Sequence, residues 1–214
     1  MQRVLGIDAD GDFGPVTART VSDWKRARGD ENPDPELTPA QQRRLLRDVL
    51  LRAVRLEERW AAAGLREEPM GSDVVPMLAR LAARLGVPPE LARMGFPWCA
   101  FAVFLAALAA GGRTAALGLR RQSFNALYAP SILAAAESEL FGLRLVPRDE
   151  AWRGDLVLFD WDFFGGDPAD HVGRLVGPPS NGYVASVDGN SGPAGLVALR
   201  ERPLVSVRAF ARDG

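Results

Sequence analysis

The sequence predicts an α+β fold in which helices pack on an antiparallel sheet. Apolar residues recur at spacings of three and four through much of the chain, up to about residue 140. From Gly154 onward they gather in short β-rich runs separated by Gly, Pro, Asn and Asp. Helices grouped ahead of strands, rather than alternating with them, indicate an antiparallel sheet. With 214 residues, 47% of them hydrophobic, there is apolar mass for one large domain, or for one domain with a small appendage.

"GIDADGDFGPVTARTVSDWKRARG" opens on an Asp/Gly-rich turn. A helix is expected from Pro15, with Val16, Thr20, Val21 and Trp24 towards one face and Gly29 as its stop. "DENPDPEL" is a Pro-rich connection. Thr38-Pro39-Ala40-Gln41 reads as a capping box with Pro in the first turn. Leu45, Val49, Ala53, Leu56, Trp60 and Ala63 then mark a long amphipathic helix ending at Gly64. "REEPMGSD" reads as a linker, so the expected division is a helical segment over 1–64, a linker over 65–72 and a domain over 73–214.

In the second part, Leu78, Leu81, Ala82 and Leu85 predict a helix closed by Gly86-Val87-Pro88-Pro89. From Trp98 to Ala110 every position is apolar, and Gly111-Gly112 ends the run. A helix apolar all round belongs at the centre of a domain. Pro97 suits its first turn. "SILAAAESELF" predicts one more helix. "GDLVLFDWD", "DHVGRLVG", "GYVASVDGN", "GLVALRER" and "LVSVRAFA" predict strands.

A net charge of -1 argues against non-specific nucleic-acid binding or adhesion to an anionic membrane. The longest apolar run is too short to span a bilayer. "MQRVLGIDADGDFG" lacks a signal-peptide pattern, so the expectation is a soluble protein made in the cytoplasm, released by other means if it acts outside. A monomer without cofactor or metal is expected. One Cys and one His cannot supply the usual zinc ligand sets. "DADGD" fails as a calcium loop, because Phe13 and Arg19 stand where Gly and Glu are needed. Asp160, Asp162, Asp167 and Asp170 read as a solvated turn, with Ca²⁺ binding as the alternative. Lys25 is the only lysine.

The only cysteine, Cys99, follows Trp98 at the start of the all-apolar helix. The positive end of a helix dipole favours a thiolate. A free Cys there is also a good packing residue. The only histidine, His171, begins a predicted strand, so a thiol–imidazole site has one possible pairing. The next strand offers Asp188 and Asn190, two apart and therefore on one face of an extended strand, to orient the imidazole. Trp98 and Trp161 are candidate walls of a substrate groove, or core residues.

"PWCAFAVFLAALAAGG", "RGDLVLFDWD", "ADHVGRLVG" and "SVDGNSG", in this order over residues 73–212, resemble the CHAP family of papain-like amidases and peptidases. That resemblance implies a peptidoglycan hydrolase of the endolysin type, either an N-acetylmuramoyl-L-alanine amidase or an endopeptidase. It implies Cys99 as nucleophile, His171 as general base, Asn190 as the orienting residue and Asp188 as its helper. Asp188 is shorter than the Glu many relatives carry, and Arg174, where they often have an apolar residue, is expected to face solvent. "DGDFGPVT" resembles the turn of a peptidoglycan-binding module, without the helix that precedes it in that family. The alternatives are a cysteine amidase acting on another amide, as a toxin or tail-associated hydrolase, and a non-catalytic wall-binding protein.

Overall fold

The computed structural model of the chain describes residues 15–30, 33–70, 72, 74–87, 98–111, 128–161, 166 and 168–213. Among these are five α-helices: α1 (Pro15–Arg26), α2 (Pro39–Ala62), α3 (Pro76–Arg84), α4 (Cys99–Ala109) and α5 (Ala129–Glu137). Six strands follow: β1 (Leu143–Val146), β2 (Leu156–Phe159), β3 (His171–Leu175), β4 (Tyr183–Ser191), β5 (Leu196–Pro203) and β6 (Val207–Asp213). They form one sheet in the order β1-β6-β2-β3-β4-β5, antiparallel at every pairing. The fold is α+β. Most of "DGDFGPVT", together with Pro88, Pro89, Pro97, Gly112, Asp162 and Asp167, lies outside the described residues.

Local chemistry explains each boundary. Thr38 accepts from the Gln41 N–H and Gln41 Oε1 accepts from the Thr38 N–H, so the capping box starts α2. Gly29, at φ 81°, turns the chain out of α1. The buried face of α1 is Thr17, Val21 and Lys25, not the Thr20 and Trp24 side that the sequence suggests. Lys25 is buried there with its Nζ 2.7 Å from Asp34 Oδ1, a partner that lets a charge sit at an inward position. β1 was not foreseen: four residues at a sheet edge, with the middle two exposed, carry too little pattern.

α4 is buried from Cys99 to Leu108 and lies between α2 and strands β3 and β4. Its side chains form one core with α3, α5 and one face of the sheet. On the other face, Val157, Phe159, Leu175, Val184 and Phe210 make a smaller cluster. Among the described residues no helix is long and apolar enough to cross a membrane.

Contacts run across the division expected at 65–72. Ala53 and Trp60 of α2 share a core with α4 and the sheet. The presumed linker pairs with the start of β5: the Val197 N–H donates to the Leu65 carbonyl (2.8 Å) and the Glu67 N–H to that of Gly195 (3.1 Å). A polar, turn-forming stretch here satisfies backbone groups along a sheet edge.

The expectation for Arg174 is corrected by the structure. It does not face solvent but is fully buried on the helical side of β3. Its Nε donates to Glu57 Oε2 (2.9 Å), Nη1 to the Gly154 carbonyl (2.9 Å) and Nη2 to the Val103 carbonyl (2.7 Å). One guanidinium thereby ties α2, α4 and the turn before β2 to the central strand. Burial pushes the Glu57 carboxyl up to about 8 against the pull of Arg174.

Candidate active site

Cys99 is the first residue of α4, only 3% exposed, with Trp98 as the preceding cap residue. The first N–H groups of a helix have no intrahelical acceptor, so this end presents donors and positive potential. Trp98, expected as a possible groove wall, lies behind the nucleophile instead. Its Nε1–H donates to Glu67 Oε1 (2.9 Å), and the ring packs where Gly189 of β4 leaves room. A Cβ on Gly189 would stand 2.8 Å from Trp98 Cζ3 and 2.7 Å from the Ala102 Cβ. Glycine is what lets the helix start and β4 approach so closely.

His171 is the first residue of β3 and is buried. Strand alternation sends Val172 and Arg174 to the helical layer, and His171 and Gly173 to the opposite face with Phe159. Position at the strand's end brings the imidazole to the Cys99 thiol, with which it hydrogen-bonds. Its Nε2 lies 3.3 Å from Asp188 Oδ2. That separation is an ion-pair distance whose angles fall short of a straight hydrogen bond. With Nε2 turned to the carboxylate, Nδ1 is the nitrogen left for the thiol.

The electrostatics follow from this line of three groups. Burial opposes a charged Cys99, but the His171 hydrogen bond and charge, with the Val172 and Ala100 backbone, hold the thiol below its ordinary value. Burial likewise opposes an imidazolium, yet Asp188 and then Cys99 outweigh it and raise His171 to about 9. Both shifts favour a thiolate–imidazolium pair at neutral pH.

Asp188 sits at the imidazole, where Asn190 was expected to do the orienting. Asn190 adopts φ 52° at a bulge between Asp188 and Ser191, so the two-residue alternation fails there. Among the described residues the Asn190 side chain makes no hydrogen bond to the imidazole. The Asp188 carboxylate occupies the space over Gly173, where any Cβ would collide with Oδ1. Trp161 stacks on His171, ring centroids 5.0 Å apart and planes 26° from parallel, and remains 51% exposed. Its backbone N–H donates to Asp170 Oδ2 (2.6 Å), which holds Trp161 over the imidazole.

Arg202 of β5 was missed from sequence. It pairs with Asp188 Oδ2, and only the β4–β5 pairing brings it there. Glu67 was missed for the same reason: nothing in "REEPMGSD" marks it as the acceptor for Trp98. Among the described residues no cluster of His, Cys, Asp or Glu suits a metal ion. No family model, curated protein or solved structure matches the chain.

Proposed function

We propose that this chain is a thiol-dependent amide hydrolase acting on bacterial cell-wall peptidoglycan, at the N-acetylmuramoyl-L-alanine bond or a peptide bond. The observation that carries the reading is the contact between the only thiol, at a helix start, and the only imidazole, whose far nitrogen faces a buried carboxylate. The substrate class rests on the resemblance of the four strings around these residues to CHAP enzymes.

The chemistry runs from these groups. The Cys99 thiolate adds to the amide carbonyl carbon, and the carbonyl oxygen takes the negative charge. The Cys99 N–H, at the open end of α4, is a donor for that oxygen. The His171 imidazolium gives its proton to the leaving nitrogen as the C–N bond breaks, leaving a thioester and a free amine. His171, now neutral, takes a proton from water, whose oxygen attacks the thioester, and the acid product departs with Cys99 again a thiolate. Asp188 keeps Nε2 engaged throughout, which holds Nδ1 towards the sulfur. The exposed face of Trp161 supplies a flat apolar surface for a sugar ring or stem peptide beside the reacting bond.

The test is a digest of purified peptidoglycan by wild type and Cys99→Ala, with fragments read by mass spectrometry. Release by wild type alone is expected, and the new end groups identify the bond. Release by both proteins would overturn the role of Cys99. Release by neither, with both folded and several wall chemotypes tried, would overturn peptidoglycan as the substrate.

A further inference from the structure

Asp188 is fully buried, and a second cation reaches it. Arg202 meets Asp188 on Oδ2, the same oxygen that faces His171 Nε2 at 3.3 Å. Its guanidinium lies 4.9 Å from the Phe159 ring centroid and 5.6 Å from that of Trp161. Trp161 in turn stacks on the imidazole. One planar group thus reaches both the carboxylate and the aromatic cover, a combination that suits Arg better than Lys.

We propose that Arg202 is a positioning residue of the Cys99 site, which fixes Asp188 and Trp161 around His171 and balances the charge of the buried group. Thiolate, imidazolium, carboxylate and guanidinium alternate in sign and sum to zero. Without Arg202 the same group carries a net negative charge, and His171 becomes the cation with sole claim on Asp188. Two cations on one carboxylate oxygen repel each other, so Arg202 restrains the proton affinity that Asp188 confers on His171. The groups around the imidazole are Cys99 from α4, Asp188 from β4, Arg202 from β5, and Phe159 and Trp161 from β2 and its exit. Asp160 follows Phe159, Asp170 is held by the Trp161 N–H, and Glu57 of α2 feels the charge of Asp188 from further away.

This inference rests on the thiolate–imidazolium reading but not on the substrate. His171 is the only histidine, so its ring signal can be titrated by NMR in the full chain with no ambiguity of assignment. The wild-type midpoint is expected near 9. Arg202→Met should raise it by about one pH unit, and Arg202→Lys, which keeps the charge, should bring it most of the way back. If Arg202→Met does not fold, Arg202→Gln replaces it with the same expected shift. A midpoint in the uncharged variant equal to or below wild type overturns the proposal while leaving the ion pair standing. A wild-type midpoint at the ordinary histidine value overturns the ion pair and this inference with it. Failure to digest peptidoglycan bears on neither.

Discussion

Cys99 and His171 are displaced in opposite directions, and the consequences for pH have opposite signs. The raised His171 stabilises the fold fully below its unfolded value, and that contribution is lost as pH climbs through about 9. The lowered Cys99 contributes above its unfolded value, and that contribution is lost as pH falls through its folded one. The pair is therefore charged between the depressed thiol value and about 9. Alkylation of Cys99 by iodoacetamide should be fast at neutral pH, and His171→Ala should slow it there by roughly tenfold or more. Equal rates in the two proteins would show the thiolate owes nothing to the imidazole. Gly173→Ala places a methyl group against Asp188; a loss of ~1–3 kcal/mol in denaturant unfolding and a lower His171 midpoint are expected. Cys99 and His171 could be read from sequence because each is the only residue of its kind. Asp188 could be found but not ranked against Asn190, because a bulge cannot be seen in "SVDGNSG".

Among the elements, α2, α4 and β3 are joined by a polar contact that no periodicity reveals. Arg174 spends its donors on Glu57 and on two backbone carbonyls of different elements. Arg174→Leu strands these acceptors in the core, and a cost of ~3–5 kcal/mol is expected in equilibrium unfolding at neutral pH. Glu57→Gln should cost far less at pH 7, since a carboxyl raised to about 8 is mostly neutral there already. The sign of its linkage follows: the raised Glu57 stabilises the fold below its unfolded value and loses that contribution as pH rises through about 8. A Glu57→Gln penalty that grows with pH would contradict this. α2 was legible because a capping box and a 3.6-residue period mark it locally, and α4 because its unbroken apolar run is too long for a strand. Arg174 was misjudged because strand alternation on a sheet covered on both faces leaves no outward side.

At the scale of the whole molecule, Ala53 and Trp60 of α2 share one core with α4 and the sheet. A chain reduced to residues 73–214 would expose Arg174 and the α2-facing side of α4, so it is expected to aggregate or lack cooperative melting, as circular dichroism would register. A sharp thermal transition in that fragment would support the two-unit reading. Local patterning was enough for the α+β class, since that class depends on the order of helical and strand-like runs. The strand order β1-β6-β2-β3-β4-β5 was not, because it depends on which edges meet in space.

The Glu57–Arg174 contact also constrains how such a chain can change by recombination. A crossover in "REEPMGSD" falls in what looks like a natural seam, yet it separates two residues 117 positions apart that must arrive together. A donor segment without a side-chain acceptor at the Glu57 position leaves a guanidinium N–H unpaired beneath the strand that carries His171. The seam that composition suggests is thus a poor place to exchange parts, and viable hybrids should be joined before α2.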